Sequence, residues 1–290
     1  LKESETTSFL KLGVHYDKVL KSALLLNFTR KQFLLKNDVL SMDFTFGDNS
    51  RFNFDYYIDK GYYWSIGLNS NYKRFKYDIS PMFFEQTLPS NLEERMGTTI
   101  SDFTTSFFVE TLIKKDFSFK IGTALKRLKI HVQNPSLASV FQSDKYQIED
   151  SQFFSLNASM KFDTLDDVFF PTSGFLFEGH ADLYLAGNNY DDFSHFSILK
   201  ANMAKAFSVS DNFSILLGTE GGFRVGYGKV SSLDFGLGGY AFNHTNNTRT
   251  FYGYDFFSLS GDSFVKAYFS ADYEIYKRHH INLSGNFANI

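Results

Sequence analysis

The chain has 290 residues, and its 29 basic and 32 acidic side chains leave a formal net charge of −3. That balance excludes the clustered basic footprint a nucleic-acid binder needs, and zero cysteines exclude disulfides and thiolate metal sites. With 36 Phe and 17 Tyr against 4 Pro, the composition favours an all-β protein, because aromatics suit a pleated surface and Pro cannot donate to a ladder. No window approaches about 18 consecutive apolar residues, so no transmembrane helix is expected. A mean hydropathy of −0.23 carries little weight here, since strands that alternate lipid-facing and lumen-facing residues average out. Leu1 to Phe9 carry no apolar run, the pattern of a chain whose signal peptide has been removed or of a fragment.

Taken in chain order, thirteen strands are predicted: 9–16, 20–30, 38–47, 51–58, 62–77, 101–112, 116–132, 150–163, 174–186, 194–208, 212–227, 263–276 and 281–289. The signal is strict alternation. Leu40, Met42, Phe44 and Phe46 alternate with Ser41, Asp43 and Thr45; Phe154, Leu156, Ala158, Met160 and Phe162 alternate with Ser155, Asn157, Ser159 and Lys161. Phe175, Phe177, Gly179, Ala181, Leu183 and Leu185 do the same against Leu176, Glu178, His180, Asp182 and Tyr184. Val265, Ala267, Phe269, Ala271, Tyr273 and Ile275 do so against Lys266, Tyr268, Ser270, Asp272 and Glu274. Successive strand residues point to opposite faces, so each strand has one apolar and one polar face.

Connections alternate between tight (59–61, 113–116, 209–212) and long (80–99, 133–149, 228–262). Bacterial membrane barrels show this asymmetry, with short periplasmic turns and longer extracellular loops. Strands of a soluble sandwich also alternate but are usually shorter, and here the second face carries Asp43, Asp55, Lys161, Glu178, Asp182, Asp272 and Glu274, which suit a wide lumen better than a shared core. The expected fold is an all-β transmembrane antiparallel β-barrel over 1–290, apolar rows outward and polar rows in a plugged, salt-bridged lumen.

Three motifs carry a resemblance. The segment from Asp163 to Gly174, with Phe170-Pro171-Thr172-Ser173-Gly174, resembles the periplasmic turn of the BamA/TamA superfamily of outer-membrane assembly and translocation barrels. Phe235-Gly236-Leu237-Gly238-Gly239 resembles the lead into that family's large sixth extracellular loop, and Phe251-Tyr252-Gly253-Tyr254 stands where its Arg-Gly loop motif belongs. The resemblance implies sixteen strands, with the proline turn between the eighth and ninth and the motif loop between the eleventh and twelfth; the predicted strands place Pro171 and Gly253 there. It also implies that about three C-terminal strands lie beyond Ile290, so that 281–289 should not pair with 9–16.

One position departs: Tyr252 replaces the family arginine that pins the loop, and the nearest basic residue is Arg249. A hydroxyl cannot make bidentate charge-assisted contacts, which puts loop anchoring in question. Together with Leu12 to Asp17, Ala23 to Asn27 and Asn286-Phe287-Ala288-Asn289, that motif is similar to the C-terminal barrels of patatin-like phospholipases of the type V secretion group. This resemblance implies a bacterial outer-membrane location, outer-membrane lipid as a partner, and an attached N-terminal lipase and POTRA-type domain that the barrel anchors or translocates. It implies no cofactor and no metal, and leaves a homodimer or association with other outer-membrane proteins open. An insertase or a passive porin-like barrel are the alternatives.

No catalytic residue is assigned. A patatin-type nucleophile needs Gly-x-Ser-x-Gly on a strand-to-helix turn, and the chain has none. Gly261-Asp262-Ser263 reads as a turn before a strand. His279 and His280 fall on opposite faces if extended, and Lys277 to His280 reads as a polar turn. Asn243 and Asn246-Asn247-Thr248 read as a polar surface loop, although the latter matches a glycosylation acceptor.

Overall fold

The structure, a computed structural model, describes residues 7–17, 21–79, 96–132, 147–189, 193–228, 230–240 and 247–290. Eleven consecutive strands open it: β1 (Ser8–Asp17), β2 (Lys21–Lys31), β3 (Asp38–Gly47), β4 (Arg51–Ile58), β5 (Ser65–Ile79), β6 (Met96–Lys114), β7 (Phe117–Val132), β8 (Gln147–Asp163), β9 (Gly174–Gly187), β10 (Phe196–Ser210) and β11 (Phe213–Gly226). Three short strands follow, β12 (Phe235–Leu237), β13 (Thr248–Arg249) and β14 (Leu259–Gly261), before β15 (Ser263–Tyr276) and β16 (His279–Asn289). All thirteen expected strands are present, and the short three, inside the long loop, were not expected.

The long strands form one antiparallel sheet in the order β1 to β11, then β15 and β16. Its two edges, β1 and β16, are not hydrogen-bonded to each other. Lys277-Arg278 alone makes the last turn, and His279 and His280 already belong to β16. The polar turn expected over Lys277 to His280 is therefore shorter, because His280 pairs with Glu274 across the ladder.

The alternation decides the faces. On β15, Val265, Phe269 and Tyr273 are exposed on the outer wall, whereas Lys266 and Asp272 are buried on the inner one. Phe154 and Phe177 are half-buried and Met160 is exposed, so none sits inside a closed core. On β10, Leu199, Met203 and Phe207 face out and Ile198, Ala204 and Ala206 face in. The row fails at Leu185, where the register shifts so that Phe154 opposes Ala186 and Ser155 opposes Tyr184. An extra residue in one strand flips everything beyond it.

Phe269 sits midway along β15, next to inward-facing Ser270. Phe269→Arg should cost roughly 2–4 kcal/mol of folding free energy in vesicles, as a lipid-facing charge near the bilayer midplane does, and Ser270→Arg far less. Denaturant titration of the refolded protein checks this; equal costs would contradict the face assignment.

Candidate functional site

The long loop is the site. From β11 it turns back along the inner wall, and its apolar residues Val230, Leu233, Phe235, Leu237, Phe251, Phe256 and Phe257 are buried. They pack on inward-facing residues of the surrounding strands, among them Phe75, Tyr77, Leu128, Ile130, Phe153, Phe196 and Phe264. The ring centroids of Tyr77 and Phe256 are 4.2 Å apart and those of Phe235 and Phe264 5.0 Å. The expectation of a polar lumen throughout is thus corrected at this end. A loop that buries this many aromatics, each worth roughly 1.5–3 kcal/mol, needs an apolar wall to receive it. In the strands named above, polar rows dominate the middle and turn end.

Below this core the loop is held by charge. Glu220 on β11 accepts from Arg249 Nε at 2.6 Å and from Lys266 Nζ at 2.5 Å, and Lys266 also donates to the Thr250 carbonyl at 3.2 Å. One carboxylate therefore ties the loop to β11 and β15 at once. Lys200, paired with Asp182 at 3.2 Å, reaches Asn247 Oδ1 at 3.4 Å, and Arg224 pairs with Asp234 at the loop's root. The anchor missing at Tyr252 is supplied three residues earlier by Arg249. A basic side chain near the motif was visible in the sequence; its carboxylate partner, 29 residues away, was not.

Phe251 is buried, and its amide donates to the Gly239 carbonyl at 3.1 Å, while Gly239 N donates to the Tyr254 carbonyl at 2.9 Å. This joins the two motifs expected from sequence. Tyr252 touches the last strand through its backbone, its amide donating to Asn286 Oδ1 at 2.7 Å, and its ring is half exposed. The Tyr254 ring packs against Phe251 with centroids 5.5 Å apart and the planes tilted by 32°. Gly253 has φ +90 with open space where a Cβ would stand. Its glycine is thus required by left-handed backbone and not by close approach to a strand.

A cavity of about 650 Å³ lies under the loop, lined by Lys161, Glu178, Glu220, Arg249, Lys266 and Tyr268 among others. Its charges are of both signs and paired, as with Lys161 and Glu178 at 3.2 Å.

The second motif lies at the other end. Between β8 and β9, Asp166 accepts from the Thr172 amide at 2.9 Å, the Thr172 hydroxyl at 2.5 Å and the Ser173 amide at 3.0 Å. Asp167 accepts from the amides of Phe169 and Phe170 at 2.7 and 2.9 Å. Pro171 sits between these two clasps, where it has no amide to leave unpaired, and position 174 needs glycine both for its φ of +106 and because a Cβ would stand 2.1 Å from the Thr164 carbonyl oxygen. Phe170 stacks on His280 of β16 with centroids 3.9 Å apart, and His280 pairs with Asp272 at 2.7 Å. The turn thus reaches across the lumen's mouth to the last strand. Desolvation pushes the Asp166 carboxyl up, but the bonds from Thr172 and Ser173 outweigh it and leave it lowered to about 2.

The remaining sequence features fall elsewhere. Ser263 Oγ donates to Asp262 Oδ1 at 3.0 Å, and Asp262 lies 3.7 Å from Arg224 at the loop's root. His279 stacks on Tyr276 at 5.9 Å. Asn247 and Thr248 are buried, which corrects the expected surface loop there, since Asn247 Nδ2 is spent on the Leu233 carbonyl; Asn243 and Asn246 lie outside the described residues.

Glu220→Gln should destabilise the refolded protein by roughly 3–5 kcal/mol, the usual cost of stranding buried charge, and adding Lys266→Met should recover part of it; denaturant unfolding measures both. For Asp166 the unfolded value is near 3.9 and the folded one about 2. Its stabilisation is complete above about pH 4 and lost as pH falls through 2. The Thr172 and Ser173 amide resonances should titrate in that window, and Asp166→Asn should abolish the titration.

Comparison with known proteins supplies the rest. The OMP85 superfamily model matches residues 1–290, and no curated protein matches. Among solved structures, BamA from Haemophilus ducreyi lacking POTRA domains 1–3 is similar with a TM-score of 0.67 at 14% identity, over 93% of this chain and 54% of that one. CdiB from Acinetobacter baumannii gives 0.62 at 12% identity, over 99% and 50%, and CdiB from Escherichia coli 0.61 at 11%, over 95% and 49%. The chain therefore spans about half the length of these structures. With its outward apolar rows, its lumen-filling loop and its match over the whole length, the chain belongs to the OMP85 superfamily of outer-membrane β-barrels.

Proposed function

We propose that this barrel anchors or translocates an attached domain at the outer membrane, with the long loop as a plug that shifts during transit. The attached part is an N-terminal patatin-like lipase domain together with a POTRA-type domain. That part rests on the similarity of Phe251-Tyr252-Gly253-Tyr254 and Asn286 to Asn289 to such barrels. The loop motif and the Phe170-Pro171-Thr172-Gly174 turn are the functional elements in this reading. One closes the lumen's outer end and the other lies at its periplasmic mouth.

The observation that carries the proposal is Glu220 holding Arg249 and Lys266 together. Beside the apolar packing of the loop, this carboxylate joins it to two strands by non-covalent charge, which can be broken and remade as the plug shifts. A passive porin needs an open lumen, and the buried aromatic loop core occupies one end of it. A second reading, insertion of other barrels, rests on the resemblance of the Phe170-Pro171-Thr172-Gly174 turn and the loop motif to the assembly barrels of the same superfamily.

An engineered pair separates the two. These 290 residues have no cysteine, so Tyr252→Cys with Asn286→Cys, in the full-length protein, gives the barrel one cysteine pair, placed to link loop and β16 on oxidation. The export reading expects oxidation to stop surface display of the attached domain and a reductant to restore it. Display unaffected by the crosslink would reject it, and slowed folding of client barrels would favour insertion.

A further inference from the structure

The outer wall at the turn end of β2 to β6 carries an arrangement that neither the plug nor the translocation reading uses. Asp38 opens the same outward row as Leu40, Met42 and Phe44, and Tyr56, which pairs with Leu40, lies on it too. A carboxylate aimed at lipid is expensive, yet Asp38 is only 1% exposed. The segment 32–37 folds over the outer wall to cover it. The amides of Phe33, Leu34 and Leu35 donate to its two oxygens at 2.6, 2.9 and 2.9 Å, and the Tyr56 hydroxyl donates at 2.7 Å. Three successive amides fixed on one buried anion make a rigid bend, and its three side chains point away from the wall, all exposed.

The next turn is fastened alongside. Asp59 N donates to the Asn37 carbonyl at 2.9 Å and Asn37 Nδ2 to the Asp59 carbonyl. Thr111, on the outward row of β6 with Phe103 and Phe107, donates to the Tyr62 carbonyl at 3.1 Å. This turn presents Tyr62, Tyr63 and Trp64. Across both turns the six large apolar side chains are between 41% and 79% exposed, far more than a turn in water gains from showing. Cations flank them: Arg30 lies 5.8 Å over the Phe33 ring, and Lys36 and Lys60 are exposed. Of the two carboxylates here, Asp38 is filled and Asp59 accepts from the Gly61 amide at 2.8 Å.

We propose that the two joined turns form a foot that seats in the periplasmic leaflet, with Arg30, Lys36 and Lys60 recognising the phosphates of anionic phospholipid. The outward register makes the foot continuous with the lipid-facing wall, and short turns mark the periplasmic end of such barrels. Apolar tips between cations match an anionic interface, where each cation is worth roughly fivefold in lipid enrichment.

Trp64 is the only tryptophan in the chain and so reports the foot directly. The full chain is refolded in phosphatidylcholine vesicles containing either brominated phosphatidylcholine or brominated phosphatidylglycerol at equal mole fraction. Trp64 should be quenched by both, shielded from aqueous iodide, and quenched several-fold more by the brominated phosphatidylglycerol. Lys36→Gln with Lys60→Gln should reduce that preference several-fold and leave quenching by brominated phosphatidylcholine unchanged. Leu34→Ser with Leu35→Ser, at exposed positions where folding is not at stake, should open Trp64 to iodide. Iodide access in the parent protein, which would point to a protein partner instead, overturns the foot, as does an unchanged Leu34→Ser/Leu35→Ser variant. Equal quenching by the two brominated lipids overturns the headgroup recognition.

Discussion

A backbone amide in hydrocarbon has no water to bond, so every strand in a bilayer must find its partners in its neighbours. That constraint fixes the architecture here. It produces one continuous antiparallel ladder, leaves side-chain alternation as the sole means of separating lipid from lumen, and pushes the described non-strand segments to an end of the barrel or into its interior. The long loop, with its aromatics, has only the interior available if it is to be buried, and the inner wall changes from polar to apolar where it arrives.

Polar groups obey the same logic at smaller scale. Glu220 sits under the plug because two cations from different elements converge on it, and a lone buried carboxylate would be costly. Asp38 stands in an outward row because three amides and a hydroxyl are folded onto it. Asp166 and Asp167 tie a ten-residue connection into a compact turn by accepting from its own amides. In each case a carboxylate organises a segment that has no ladder of its own, the usual role of short polar side chains in turns.

The two ends of the lumen are treated differently. At one end the plug combines apolar packing with an ion-pair hub. At the other, the turn before β9 reaches β16 through a single stack of Phe170 on His280. Both sets of contacts bear on β15 or β16, so movement of these strands would loosen both.

What the sequence determined by itself was whatever depends on local periodicity and short-range chemistry. The thirteen strands, their faces, the tight and long connections and the three motifs were legible because alternation with period two and turn residues such as Pro171 and Gly174 act over a few positions. Tertiary structure alone decided the partners. Arg249 could be named as the nearest cation to the motif, but not its bond to Glu220. Gly253 could be placed in the loop motif, but not the left-handed backbone that requires a glycine there. Leu185 fell out of its row through a one-residue bulge that no pattern marks, and Asn247, polar and seemingly on the surface, is buried beneath Leu233. The reason is physical. Inward and outward follow from parity along one strand, whereas what an inward residue meets depends on how thirteen strands curl round a loop far away in the chain.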